Sequence, residues 1–249
     1  MKIKHIIILT SAASFMLAST SSSAAEELTL STLGCMLEPS KKVQVSSPVT
    51  GVLERVRVKR GDSVKKGSTL FQLKAGVEKE NVELARVKAE FTKRKAKRNK
   101  DLYKDDILTI HEKDEIETEL HIAEAELRLK KQELALRTVY SPINGMVVNR
   151  FNSEGEYVNI DPIMELATLD PLHIDLLLPA SYFGQITLGQ KLSIKPESDT
   201  IDARMAKVII VDPLIDPASG TFRVQLVMSN PDNKIPSGIR CSAQLVSKP

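Results

Sequence analysis

Apolar and polar positions alternate in two segments of the chain, residues 47–64 and 141–158, which are copies of one motif. The first reads SPVTGVLERVRVKRGDSV and the second SPINGMVVNRFNSEGEYV. Five residues recur 94 positions later, so that Ser47, Pro48, Gly51, Gly61 and Val64 return as Ser141, Pro142, Gly145, Gly155 and Val158. Such alternation predicts half-buried strands that begin at Gly51 and Gly145. We expect turns at Gly61 and Gly155, because glycine enters a turn without steric cost.

The two halves resemble those of the pseudo-symmetric β-sandwich of lipoyl and biotinyl domains, but a long helical segment separates them. In a carrier domain of that type the halves follow closely, and a lysine lies at the joint. Here Val77–Leu102 and Glu112–Arg137 contain neither proline nor glycine. Each would form a helix of ~39 Å at 1.5 Å per residue. The pattern predicts an antiparallel hairpin that turns at residues 103–111.

Each predicted helix carries two apolar stripes, and a two-helix hairpin needs only one of them. On the second helix the first stripe is Ile116, Leu120, Ala123, Leu127 and Leu134, and the second is Ile122, Ala125, Leu129 and Leu136. On the first helix the stripes are Val77, Leu84, Val87, Phe91 and Leu102, and then Val82, Ala85, Ala89 and Ala96. We expect the second stripe, rich in alanine on one helix and in leucine on the other, to pack against hairpins of neighbouring subunits. The alternative is that it packs against the protein's own domains.

The C-terminal part of the chain lacks helical patterns and predicts a small antiparallel β-barrel. Its five strand-like runs are His173–Leu178, Lys191–Lys195, Lys207–Val211, Thr221–Met228 and Ile239–Val246. The expected fold is therefore mostly β with an α-helical hairpin. Its predicted parts are sandwich halves at 38–74 and 139–170, a hairpin at 75–138, and a barrel domain at 26–37 and 171–249.

The N-terminal segment Met1–Ala25 has the pattern of a signal peptide. Two lysines precede an apolar run of 13 residues, Ile6–Ala18, and small residues before Glu26 offer a cleavage site. The apolar run is shorter than the ~20 residues that span a bilayer. We expect an exported protein, with an uncleaved N-terminal anchor as the alternative. In an exported protein, Cys35 and Cys241 predict a disulfide. The alternative is that they are two buried free thiols.

Composition and residue spacing argue against several classes of function. The net charge of +3 is too balanced to favour nucleic acid, and the chain has no tryptophan for base stacking. The four histidines are dispersed, so that neither a metal site nor a catalytic constellation is predicted, and no cofactor is expected. Seven Lys/Arg residues between Lys88 and Lys100 indicate a solvated helix face or a basic collar for an acidic partner.

Three segments in this order resemble the periplasmic adaptor subunits, or membrane fusion proteins, of tripartite efflux systems. They are SSPVTGVLERVRVKRGDSVKKGSTLFQL at 46–73, VYSPINGMVVNRFNSEGEYV at 139–158 and VIIVDPLIDPASGTFRVQLVMSNPDNKIPSGIRCSAQL at 208–245. The resemblance implies a periplasmic, non-catalytic protein that forms a ring and links an inner-membrane transporter to an outer-membrane channel. A resistance-nodulation-division (RND) transporter is favoured over an ABC-type exporter. The family's membrane-proximal domain is expected to be absent or minimal.

The resemblance also implies a channel-docking site at the hairpin tip. Many adaptors carry the spacing R-x3-L-x6-S there, and Arg98, Leu102 and Thr109 stand at that spacing in this chain. Thr109 replaces the serine but keeps its hydroxyl, and Glu112 lies where a capping box would place it. Two other classes stay as alternatives. One is a lipoyl or biotinyl carrier, for which Lys74 is poorly placed because it leads into a helix, and the other is an exported coiled-coil scaffold or adhesin without a transporter.

Overall fold

The computed structural model describes residues 28–30, 32–104 and 107–245. The predicted signal peptide Met1–Ala25 lies outside these ranges, and no helix within them is long and apolar enough to cross a membrane. The β-strands are β1 Leu28–Thr29, β2 Gly34–Ser46, β3 Gly51–Val56, β4 Ser63–Val64, β5 Thr69–Leu73, β6 Thr138–Tyr140, β7 Gly145–Arg150, β8 Tyr157–Val158, β9 Pro162–Pro179, β10 Lys191–Pro196, β11 Arg204–Val211, β12 Thr221–Met228 and β13 Cys241–Leu245. The helices are α1 Gly76–Lys104 and α2 Ile110–Ala135.

The two halves of the repeated motif exchange strands with each other. Strand β3 of the first half pairs with β8 of the second, and β4 of the first half pairs with β7 of the second. Equivalent residues are buried in a common core, such as Leu53 with Val147. Their backbones are bonded reciprocally, because Gly61 N donates to Val147 O and Gly155 N donates to Leu53 O, each at 2.8 Å. The repeat therefore builds one barrel-sandwich hybrid with internal two-fold pseudo-symmetry.

Glycine is required at three of the four repeated positions, for two different reasons. Gly61 and Gly155 have φ angles of 93° and 90°, a region that residues with a side chain rarely adopt. Gly145 is needed for close approach, because a Cβ there would lie 2.4 Å from the carbonyl oxygen of Ala167. At Gly51 the nearest atom to such a Cβ is a guanidinium nitrogen of Arg137 at 2.7 Å, which belongs to a flexible side chain.

The hairpin leaves the sandwich between two strands that pair with each other, β5 and β6. Both of its ends are therefore held at one edge of a small sheet, of order β6-β5-β3-β8. Helix α2 ends before the predicted Arg137, since Arg137 O already accepts a hydrogen bond from Leu73 N at 2.8 Å at the start of that pairing. The 29 residues of α1 correspond to an arm of about 43 Å.

One expectation for the helix faces is wrong. The alanine-rich stripe of α1 was expected to face a neighbouring subunit, but Ala85 and Ala89 are buried and Val82 and Ala96 are partly buried. The larger residues Val77, Leu84, Val87, Phe91 and Leu102 are exposed instead. Small residues let two helices of one hairpin approach closely, so alanine forms the inner seam. On α2, Ala123 is buried, whereas Ile122, Ala125, Leu129 and Leu136 are exposed.

Two long strands pass from the sandwich into the C-terminal domain, with an irregularity in their pairing between Pro39–Leu172 and Lys41–Thr168. β2 pairs with β9 from Gly34–Leu177 to Ser46–Pro162, across both domain boundaries that the sequence suggested at 37/38 and 170/171. The larger sheet has the order β1-β13-β10-β11-β12-β9-β7-β4, with β2 also paired to β9. The predicted strand Leu28–Leu37 is divided between β1 and the start of β2. The predicted strand His173–Leu178 is part of β9.

The C-terminal domain has a core formed largely by β2 and β9–β13, but its regular strand ladders do not close into the predicted barrel. The seam lies between β2 and β13. Within the described residues it is joined by an isolated bridge between Met36 and Arg240 and by hydrogen bonds of Leu37 with Ile239 and Gly238. The Cys35–Cys241 disulfide crosses the same seam, with the two Cα atoms 5.0 Å apart.

Candidate functional site: the helical hairpin

The base of the hairpin is fixed to the sandwich by Arg137. One guanidinium nitrogen donates to Thr50 O at 2.9 Å, and the other forms an ion pair with Glu78 Oε1 at 2.6 Å. The side chains of Arg137 and Glu78 are only 21% and 17% exposed, so solvent screens this pair less than the pairs on the hairpin surface. Arg137 therefore ties the first turn of α1 and the end of α2 to the strand that begins at Gly51. Sequence patterns gave this arginine no role; the nearest signal was its place at the end of the helical segment.

Two ion pairs join the helices along the middle of the hairpin. Lys88 Nζ lies 2.7 Å from Glu126 Oε2, and Lys95 Nζ lies 2.7 Å from Glu119 Oε2. The hydrogen bond from Lys88 holds the pKa of the Glu126 carboxyl below its usual range. In both pairs the residue numbers sum to 214, which sets the antiparallel register of the hairpin. Residues whose numbers add to about this value lie at the same height.

The tip of the hairpin is organised by Thr109, and the predicted capping box is present. Thr109 Oγ1 accepts a hydrogen bond from Glu112 N and donates to Glu112 Oε2 at 2.8 Å, while Thr109 N donates to the same carboxylate at 2.9 Å. These bonds, chiefly that from the Thr109 backbone, lower the pKa of Glu112. The hydroxyl of Thr109 is thus engaged in holding the start of α2.

Exposed apolar residues surround this cap. Leu102 is 39% exposed, and Ile107 and Ile110 are 67% and 52% exposed. Arg98 is exposed one turn before Leu102 on α1. The predicted site residues Arg98, Leu102 and Thr109 are therefore all near the distal end of the hairpin, whereas Ile107 and Ile110 were missed. Their signal was the apolar part of the predicted turn, where Ile107 and Leu108 are followed after Thr109 by Ile110.

The other predicted positions lie away from the tip. The exposed residues of α2, Ile122, Ala125, Leu129 and Leu136, run along the shaft, and the four glycines Gly51, Gly61, Gly145 and Gly155 shape the sandwich. Cys35 and Cys241 lie in the C-terminal domain. No group of three or more His, Cys, Asp or Glu side chains in the described part of the chain could hold a metal ion.

The geometry defines a class of protein: a barrel-sandwich hybrid interrupted by a long helical hairpin. A model of the CzcB-like barrel-sandwich hybrid domain matches residues 41–167, just over half of the 249-residue chain. The chain belongs to this family.

Curated relatives include efflux and membrane fusion proteins. Multidrug resistance protein MexA of Pseudomonas aeruginosa is 23% identical over 218 residues, and membrane fusion protein MtrC of Neisseria gonorrhoeae is 25% identical over 232. These matches cover 81% and 82% of this chain but 57% and 56% of the relatives. The chain thus aligns with little more than half the length of these proteins.

Solved structures share the fold. A MacA–MexA chimera that contains the P. aeruginosa MexA α-hairpin domain superposes with a TM-score of 0.77 at 21% identity, covering 89% of this chain and 80% of the chimera. MacA from Actinobacillus actinomycetemcomitans superposes with a TM-score of 0.69 at 19% identity, covering 88% of this chain and 78% of that one. These likenesses support a mostly β fold with a hairpin and a barrel-sandwich hybrid domain.

Proposed function

We propose that the protein is a periplasmic adaptor that links an inner-membrane efflux transporter to an outer-membrane channel and catalyses no reaction. The observation that carries this proposal is the 29-residue arm α1, folded back as α2, on a rigid base and with an apolar tip. Such an arm can reach a partner about 43 Å from the sandwich. The names of MexA and MtrC as multidrug resistance and membrane fusion proteins support an efflux role.

The tip is the proposed contact with the channel. Leu102, Ile107 and Ile110 form an exposed apolar end to the arm, and exposed apolar clusters mark interaction sites. Arg98 stands beside them. The capping box of Thr109 holds the start of α2 in place, which lowers the conformational entropy that this part of the tip loses on binding.

The C-terminal domain is the proposed contact with the transporter, and several copies are proposed to form a ring. The domain exposes Leu33, Leu177 and Leu214 around a cavity of ≈ 580 Å³ that also contacts Arg223. We also propose that the C-terminal domain is a small β-barrel, in which the Met36–Arg240 bridge and the disulfide close the seam in place of a regular ladder. An RND-type transporter is favoured by the segment 208–245 and by the tip spacing, with an ABC-type exporter as the alternative. We propose cleavage of Met1–Ala25 on export and attachment to the inner membrane through the transporter.

Co-purification from cross-linked cells tests the proposal. A tagged full-length chain is expected to bring down an integral inner-membrane transporter and an outer-membrane channel, and peptide identification gives the transporter class. Leu102→Asp is expected to keep the transporter and lose the channel, because it places a charge on the apolar tip. Ile160→Asp makes the same change at an exposed site of the sandwich, outside both proposed contacts, and is the control that should keep both partners. A wild-type chain that captures neither membrane protein would indicate a self-assembling scaffold instead.

A further inference from the structure

Each helix of the hairpin carries one outer column of residues spaced by seven. The α1 outer column is Val77, Leu84, Phe91 and Arg98, and the α2 outer column is Glu115, Ile122, Leu129 and Leu136. All eight are exposed; Leu84 and Phe91 are 71% and 53% exposed, and Ile122 and Leu129 are 60% and 56% exposed. Residues spaced by seven stay on one side of a helix that takes part in a coiled coil. Each outer column is therefore a straight line along the arm.

The two outer columns match each other level by level. The pairs 77 and 136, 84 and 129, 91 and 122, and 98 and 115 all sum to 213, within one residue of the register set by the Lys88–Glu126 and Lys95–Glu119 ion pairs. One residue corresponds to a 1.5 Å rise. At three levels both residues are apolar, whereas at the fourth a cation on α1 is level with an anion on α2.

Both outer columns flank the same face of the hairpin. Phe91 stands three and four residues from Lys88 and Lys95, and Ile122 stands three and four residues from Glu119 and Glu126. Residues at those spacings are neighbours on a helix surface. Lys88, Glu119 and Ile122 also line one surface groove. The two outer columns thus lie on opposite borders of the ion-paired face. Within one copy they cannot pack against each other.

Arg98 and Glu115 are the residues of the two outer columns nearest the hairpin tip. Arg98 and Glu115 are exposed and make no ion pair in the part of the chain that the structure describes. Side-by-side copies at equal height would bring α1 of one against α2 of the next in antiparallel orientation. That contact sets three apolar pairs and one Arg–Glu pair opposite each other. A contact between two α1 outer columns would instead bring arginine near arginine in any level arrangement of two upright arms.

Resting on the ring of the proposed function, we propose that the α1 outer column of each copy packs against the α2 outer column of the next. Arg98 pairs with Glu115 of the partner subunit and fixes the height at which the arms meet. This contact is heterologous, because it joins two different surfaces. Both outer columns lie toward the ion-paired face, so each copy is rotated in the same sense relative to the one before, and the row of copies closes into a ring. The face with the Lys88–Glu126 and Lys95–Glu119 pairs becomes the inner wall. Arg98 is then a register residue between subunits rather than only a channel contact.

Charge reversal tests the ionic pair. Arg98→Glu and Glu115→Arg are each expected to weaken self-association of the full chain by about 5-fold or more, because an exposed pair is lost and replaced by repulsion. The double variant is expected to recover to within about 2-fold of the wild type. Lys97→Glu is the matched control, since it makes the same charge change one residue away on an exposed site outside the column. A double variant as weak as the product of the two single effects would overturn the pairing.

Mixing two variants, each with one cysteine in addition to the Cys35–Cys241 disulfide, tests the head-to-tail direction. Leu84→Cys and Leu129→Cys copies, mixed and oxidised, are expected to cross-link with each other and not with themselves. Covalent dimers formed by Leu84→Cys alone would overturn the arrangement. Both measurements use the purified chain without transporter or channel, so they are independent of partner capture. A restored double variant that captures no membrane protein would leave the column contact standing and remove the adaptor role.

Discussion

Removal of the Cys35–Cys241 disulfide is expected to destabilise the C-terminal domain at one place, the seam between β2 and β13. The bond joins residues 206 positions apart, so it restricts nearly the whole unfolded chain. The seam otherwise depends on the Met36–Arg240 bridge and on the hydrogen bonds of Leu37 with Ile239 and Gly238. The other strand pairs of the domain, such as β9 with β12, have continuous ladders. Removal of the bond should therefore lower the free energy of unfolding of the chain and, in addition, weaken the seam more than the other strand pairs.

The magnitude follows from loop closure. For a loop of this length the chain-entropy relation gives about 5 kcal/mol, and measured values for disulfides are typically about 2–4 kcal/mol. We expect the double variant Cys35→Ser with Cys241→Ser to lose about 3–5 kcal/mol of unfolding free energy. With a urea dependence of about 2 kcal/mol per molar, the unfolding midpoint should fall by about 2 M.

Two measurements check this result. Urea unfolding followed by circular dichroism gives the midpoint, and hydrogen exchange with peptide resolution locates the loss. Residues 34–38 and 238–245 should exchange faster, while the hairpin and the Leu53–Val147 core keep their protection. Reductant should reproduce the effect in the wild type and change nothing in the double serine variant. A midpoint shift below about 0.3 M, or a loss spread evenly over the chain, would refute the argument that the bond holds the seam.

Two further perturbations test the sandwich and the tip. Gly145→Ala should cost about 2–3 kcal/mol of unfolding free energy, because its Cβ would lie 2.4 Å from the backbone oxygen of Ala167 and force β7 from β9. Gly51→Ala, the equivalent position in the other half, should cost less than about 1 kcal/mol, because the flexible guanidinium of Arg137 can move; equal costs in thermal or urea unfolding would contradict this account. The lowered pKa of Glu112 means that its cap is complete above the usual glutamate pKa and is lost as pH falls through the lower, folded-state pKa. Amide exchange at residues 110–113, corrected for intrinsic rates, should therefore speed up in acid, and Glu112→Gln should abolish the pH step; a step that persists in that variant would assign it to another group.

The repeat and the hairpin could be predicted because each depends on a local pattern. The alternation around Leu53 recurs around Val147, and both residues are buried as a consequence. The long segment without proline or glycine likewise indicated two helices, and Thr109 with Glu112 indicated the cap. In each case neighbouring residues in the sequence determine the structure.

Three features could not be predicted from local pattern. Which α1 stripe faces α2 depends on how closely the helices approach, and there Ala85 and Ala89 were favoured over larger residues such as Leu84. The expected domain boundaries at 37/38 and 170/171 fall inside β2 and β9, because these two strands pair on both sides of an irregularity at Ser40 and residues 169–171. Arg137 acquires its role only when Thr50 and Glu78, distant in the chain, come together at the hairpin base.

Site-specific photocross-linking in living cells tests the central claim, that the arm spans between partners in two membranes, most directly. One cross-linker is placed at Ile107 of the tip and another at Leu214 of the C-terminal domain, both exposed. The account predicts that Ile107 captures a channel of the outer-membrane fraction and that Leu214 captures a transporter of the inner-membrane fraction. Capture of proteins from the same membrane by both positions, or of no membrane protein by either, would contradict it.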